Sequence, residues 1–162
     1  MRTLLIEDDA FYAQAITELL IDRDVLVTCV HTAEDALAAD IESHGAAIID
    51  VMLPNNPEAS GITNEESRGG FCAGVCVARR LLRKRPGMKV VLLTSDVVDT
   101  EAETWAHQHN VVFIRKDEGS SALLRSLDRL GITGSDRSPV CLIVHGHDES
   151  ALRSSKTSFR ML

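Results

Sequence analysis

Five short apolar runs, each followed by a stretch with helical spacing, constrain this chain more than any other feature. Arg2 to Ile6 reads as a strand that stops at Glu7-Asp8-Asp9. Ala10 to Leu20 then carries apolar residues at Phe11, Ala15, Ile16, Leu19 and Leu20, the spacing of an amphipathic helix capped by Asp9. Val25 to Val30 is a second strand, and Thr32 is the expected cap of a helix over Ala33 to Ala39, whose early Glu34 and Asp35 favour the positive end of its dipole. Ala46-Ala47-Ile48-Ile49-Asp50 is the third strand, apolar on both faces until its last residue. Helix returns from Phe71 to about Arg85 and is closed by Pro86-Gly87. A strand over Val90 to Leu93, a helix over Asp96 to Asn110, a strand over Val111 to Ile114 and a helix over Ser120 to Leu130 complete the series.

Alternation of this kind requires an α/β fold, a parallel sheet with helices on both faces, and right-handed crossovers limit how it can be wound. The economical solution is a doubly wound five-stranded sheet of order 2-1-3-4-5. That order brings the carboxyl ends of strands 1, 3, 4 and 5 to one neighbourhood, where open α/β sheets place their chemistry. The residues at those ends are Glu7 and Asp8, Asp50, Thr94 and Lys116. An aspartate after a strand is by itself as readily a turn residue or a cap, so the other strand ends decide the reading of Asp50.

Composition narrows the function classes. The chain of 162 residues is 44% hydrophobic with a formal net charge of −7, a balance that argues against direct binding of nucleic acid or an anionic membrane. The chain enters its first strand with no basic and apolar leader and holds no run of membrane-spanning length, so the expectation is a cytoplasmic protein. The spacing of Cys29, Cys72, Cys76 and Cys141 is neither a disulfide framework nor a zinc pattern, and buried reduced thiols are expected. The basic run from Arg79 to Arg85 closes a helix, where cations complement the dipole.

Three carboxylates, a hydroxyl and an ammonium make chemical sense together. Two like charges about 4 Å apart repel by roughly 4 kcal/mol at an effective dielectric of about 20, so the cluster calls for a counterion. Oxygen donors of this sort suit Mg²⁺ or Mn²⁺. With positive charge supplied there and by Lys116, Asp50 can act as a nucleophile toward phosphorus while Thr94 hydrogen-bonds a phosphoryl oxygen.

The pieces Leu4-Leu5-Ile6-Glu7-Asp8-Asp9, Ile48-Ile49-Asp50-Val51-Met52-Leu53-Pro54, Leu92-Leu93-Thr94-Ser95 and Phe113-Ile114-Arg115-Lys116, in this order over residues 1 to 131, resemble the receiver domain of two-component response regulators. The resemblance implies the flavodoxin-like receiver fold and phosphorylation-controlled signalling. It implies that Asp50 accepts a phosphoryl group from a histidine kinase or phosphotransfer protein, and that Glu7, Asp8, Asp50 and the Met52 carbonyl hold Mg²⁺. It also implies that Thr94 and Lys116 bind the phosphoryl group, and that Thr94 and Phe113 form the switch. A receiver assists its own phosphorylation and dephosphorylation but is not otherwise an enzyme.

The chain departs from that pattern in three places. Asp117 follows Lys116 where the family usually has proline, Ser95 replaces a smaller residue, and Gly74, which matches the glycine near the start of the family's third helix, lies 24 positions beyond Asp50. Two rival functions fit the residues less well. A haloacid-dehalogenase-type phosphohydrolase needs a second aspartate two residues after the first, and Met52 stands there. A receiver that only binds partners, without phosphorylation, is opposed by the intact five-residue set.

Residues 54 to 70 hold two Pro, three Gly, three Asn and two Ser without periodicity and read as an inserted loop. It begins just after Asp50 and so is expected beside the mouth of the site, with Glu58, Glu65 and Glu66 brought toward the carboxylates; a tolerated solvent-exposed insertion is the first reading and a lid or partner-selecting flap the second. Residues 132 to 138 read as a linker and 139 to 162 as a tail. The run from Leu142 to Glu149 resembles the opening strand and loop of a TIR-like domain. Its strand is expected to pair with an edge of the sheet or with another chain, promoting self-association as a homodimer.

Overall fold

The computed structural model describes residues 1–95 and 102–132, together with the backbone of residues 100, 101, 143 and 144. The elements run β1 (Arg2–Ile6), α1 (Ala10–Ile21), β2 (Leu26–Val30), α2 (Ala33–Ala38), β3 (Ala46–Asp50), α3 (Pro57–Ser60), α4 (Ala73–Lys84), β4 (Lys89–Thr94), α5 (Thr100–Gln108), β5 (Val112–Arg115), α6 (Gly119–Arg129) and β6 (Ile143–Val144). All strands pair in parallel, in the order β5-β4-β3-β1-β2-β6. Its first five strands are the expected 2-1-3-4-5 sheet of the flavodoxin-like receiver fold, read from the other edge.

Alternation along each strand divides the core in two. Leu4, Ile6, Ala47, Ile49, Val90 and Leu92 pack on one face with Ala33 and Ala36 of α2 and Val77 and Leu81 of α4. Leu5, Ala46, Ile48, Val91 and Leu93 pack on the other with Ile16 and Leu20 of α1 and Leu123 and Leu127 of α6. Both faces are covered because the crossovers alternate sides, and β3 in the middle is buried along its whole length. At roughly 1.5–3 kcal/mol for each fully buried Leu or Ile, these two layers drive the fold.

The caps are those expected. Asp9 accepts from the amides of Phe11 and Tyr12 at 2.9 and 3.1 Å, and Thr32 accepts from that of Asp35 at 3.2 Å. The phase of α1 is not: its buried residues are Ala13, Ile16 and Leu20, while Phe11 is 88% exposed. Two apolar registers compete on that helix, and the one that fits the sheet wins.

The insertion is folded rather than an open loop. Asn56 caps α3, Pro57 occupies its first turn, and Gly61 ends it with φ +66°, a left-handed conformation that glycine adopts without strain. Ile62 is fully buried in the same layer as Leu53, Ala73 and Val77, and the Arg80 guanidinium donates to the carbonyls of Ser60 and Gly61 at 2.7 and 2.6 Å. The packed chain reaches Ile132, which is fully buried and donates its amide to the Leu127 carbonyl at 2.8 Å. In β6, Ile143 and Val144 lie opposite Thr28 and Cys29, so the tail strand sits on this chain's own β2 edge. The remainder of the expected linker and tail, with Cys141 and the loop of the TIR-like run, lies outside the described residues, as does 96–99 of the expected fourth helix.

Candidate functional site

The winding assembles the site at the carboxyl end of the sheet. β1 ends by donating the Glu7 amide to the Val30 carbonyl at 3.1 Å, which carries Glu7 into the interior and leaves Asp8 exposed at the surface. β3 ends on Asp50, only 4% exposed, and its carboxylate oxygen Oδ1 accepts from the Met52 amide at 3.1 Å. Glu7, Asp8 and Asp50 each bring a carboxylate oxygen within 4.8 Å of the others, the one such acidic group among the described residues. Among the described residues no histidine or cysteine joins a group of this kind. Cys29, Cys72 and Cys76 form no disulfide; Cys29 is buried as expected, and burial pushes its thiol up to about 11, whereas Cys72 and Cys76 are only half-buried.

Lys116 supplies the counter-charge. Its chain turns directly after β5 into a single 3-10 turn, and Nζ lies 2.8 Å from Asp50 Oδ2 and 2.9 Å from Glu7 Oε1. Burial alone would lower its basicity, but the hydrogen bonds to Asp50 and Glu7 outweigh that and raise it, so the ammonium is kept charged. The Lys116–Asp117 peptide is trans. Asp117, at the position where the family usually has proline, accepts two hydrogen bonds from Arg115 at 3.0 and 2.7 Å.

One ammonium does not neutralise three carboxylates. Burial pushes Glu7 up to about 7 against the opposing pull of Lys116, with the Asp50 charge adding to the rise. Both Glu7 oxygens lie against the ammonium, Oε1 at 2.9 Å and Oε2 at 2.8 Å, so one cation serves Glu7 and Asp50 together. An all-oxygen donor set that is short of positive charge and open to solvent on the Asp8 side fits a hard divalent cation of the Mg²⁺ or Mn²⁺ type.

Thr94 is the last residue of β4, 2% exposed, one position past Leu93, the strand partner of Asp50. Phe113 lies in β5, half-buried against the layer that holds Ala102 and Ala106 of α5. Gly74 of α4 donates its amide to the Val51 carbonyl at 3.0 Å and lies directly against the backbone of Asp50. Glu66 of the insertion turns elsewhere, accepting from the Thr63 amide at 2.9 Å and facing Arg80 at 3.8 Å, and Glu58 and Glu65 are exposed and outside the acidic group. What the insertion does bring to the mouth is its end. Gly69, Gly70 and Phe71 wall a cleft of about 230 Å³ with Asp8, Met52, Leu53 and Pro54.

Two residues at the site escape a reading of the sequence. His31 Nδ1 donates to the Glu7 carbonyl at 2.7 Å, and the Tyr12 ring lies 4.5 Å from Lys116 Nζ. The available signal was position: His31 directly follows β2, and Tyr12 stands in the first turn of the helix that follows β1.

No protein-family model matches the chain, and no curated protein matches it either. Solved structures do. A CheY-like response regulator receiver domain protein from Methanospirillum hungatei JF-1 is similar with a TM-score of 0.63 at 21% identity, covering 81% of this chain and 94% of that one. The non-phosphorylated HemR receiver domain from Leptospira biflexa gives 0.63 at 20% identity, with 85% and 97% covered. A response regulator receiver protein from Pseudoalteromonas atlantica gives 0.65 at 16% identity, with 82% and 98% covered. At these identities the likeness is one of fold.

Proposed function

We propose that this chain is a phosphorylation-controlled signalling receiver in which Asp50 accepts a phosphoryl group from a histidine kinase or phosphotransfer protein in the cytoplasm. The observation that carries the reading is the ammonium of Lys116 bridging Asp50 and Glu7 at the carboxyl end of the sheet, beside exposed Asp8. A structural ion pair does not call for a third, solvent-facing carboxylate within 4.8 Å; a site for charged phosphoryl chemistry does.

In the proposed reaction, an Asp50 carboxylate oxygen attacks phosphorus. An O–P bond forms as the P–N bond to the donor's imidazole breaks, and the electron pair leaves with the nitrogen. Lys116, already charged, exchanges a carboxylate contact for a phosphoryl oxygen, and Thr94 at the neighbouring strand end donates its hydroxyl to another. Glu7, Asp8 and Asp50, with the Met52 carbonyl, would hold Mg²⁺ or Mn²⁺, which supplies positive charge to the phosphoryl oxygens when bound. The Thr94 displacement is then felt by Phe113 on the adjacent strand, changing the face built by α5, β5 and α6. Such a switch is a local charge event that biases a two-state surface.

Incubation with acetyl phosphate and Mg²⁺ followed by intact mass tests the reading. Wild type should gain one phosphoryl mass and Asp50→Asn none. Equal labelling of the two would overturn the assignment, and absence of label on wild type would leave a binding module in its place.

A further inference from the structure

We infer that Tyr12 is a positioning residue for phosphoryl transfer, its ring face holding the Lys116 ammonium at the mouth while the ammonium changes partners. The inference rests on the reading of Asp50 as phosphoacceptor and adds a residue to it.

Tyr12 is the only tyrosine in the chain and stands in the first turn of α1. The backbone of that turn is held, because Asp9 Oδ1 accepts from the Tyr12 amide at 3.1 Å. It is half-buried against the α1–α6 layer, and Lys116 Nζ lies 4.5 Å from its centroid. The Lys116 side chain is only 15% exposed, the setting in which an ammonium over an aromatic face is held most firmly. Two directions from Nζ are taken by Glu7 and Asp50, and the ring covers another.

The chemistry explains why an aromatic ring suits that place. Transfer requires Lys116 to give up a bond to Asp50 Oδ2 and take one to a phosphoryl oxygen. A further carboxylate there would compete with the phosphoryl group for the ammonium. An aliphatic side chain would exclude water but attract nothing. A ring face attracts the cation without presenting an acceptor that must be released.

The test is the rate of labelling by acetyl phosphate with Mg²⁺. Tyr12→Leu, which keeps the apolar bulk and loses the ring, should slow labelling by about 3- to 30-fold. Tyr12→Phe, which keeps the ring, should stay within about twofold of wild type. Against a Lys116→Ala background, where only a slow residual rate is left, exchanging Tyr12 for Leu should change that rate no further, because the ring acts through the ammonium. Thermal melts of each variant separate slow labelling from unfolding, and Tyr12→Met replaces the leucine variant if that one fails to fold. Wild-type rates in the leucine or methionine variant, or the same further slowing in the Lys116→Ala background, would overturn the inference while leaving Asp50 as phosphoacceptor. Unlabelled wild type would instead remove the Asp50 reading and this one with it.

Discussion

Gly74 packs directly on the backbone of Asp50: a Cβ at Gly74 would stand 1.8 Å from the Asp50 carbonyl oxygen and 3.0 Å from Val51 Cα. Glycine is therefore what lets α4 approach the end of β3, despite the 24 positions that separate the two residues. The obstacle is backbone, which cannot rotate aside. Gly74→Ala should cost about 1–3 kcal/mol or more by overpacking, read as a lower urea midpoint with an unchanged slope. It should also slow labelling of Asp50 in whatever fraction stays folded, since the strand end must shift to admit the methyl group.

The insertion is fastened from beneath, by Arg80 to Ser60 and Gly61 and by Ile62 in the core. A fastened wall differs from a lid that opens and closes. Arg80→Ala should raise amide exchange across residues 60 to 62 while labelling by acetyl phosphate stays near the wild-type rate. Faster labelling in that variant would mean that the insertion restricts access to Asp50 and must loosen to admit the donor.

Glu7 makes the metal-free protein less stable as pH rises. Its carboxyl rises from 4.5 in the unfolded chain to about 7 in the fold, so between those values the folded state binds the additional proton. The stability Glu7 contributes is fully present below 4.5 and is lost as pH rises through about 7. Melting temperature in chelator should fall between about pH 5 and about pH 8, and Glu7→Gln should flatten that slope. A slope of the same size in the glutamine variant would assign it to another group.

Asp8 is exposed, yet it completes the acidic set. Asp8→Asn should leave the metal-free fold as stable as wild type or slightly more so, because it relieves like-charge repulsion. Mg²⁺ should then no longer raise the melting temperature, and labelling should slow. A magnesium-induced shift equal to that of wild type would place the cation elsewhere.

The sheet and its strand ends were legible because the signals are local. Each strand is a short apolar run, each crossover an amphipathic stretch, and right-handed winding leaves one economical order, so Glu7, Asp8, Asp50, Thr94 and Lys116 arrive together once the strands are known. The caps at Asp9 and Thr32 were legible for the same reason, since a side chain bonding an amide two or three residues on needs nothing from the rest of the chain. The phase of α1 was not. Phe11, Ala15 and Ile16 make as good an apolar stripe as Ala13, Ile16 and Leu20, and only docking on the sheet turned Phe11 out and Tyr12 toward Lys116.

The insertion carries no periodicity, and what folds it is Arg80 and a core pocket for Ile62, partners that lie beyond its own span. The raised Glu7 carboxyl is likewise a property of burial beside Asp50, not of a glutamate in a sequence. Sequence alone determined which residues could meet. Tertiary packing decided how closely Gly74 meets Asp50 and which ring faces the ammonium, because those outcomes turn on contacts between segments that no local pattern encodes.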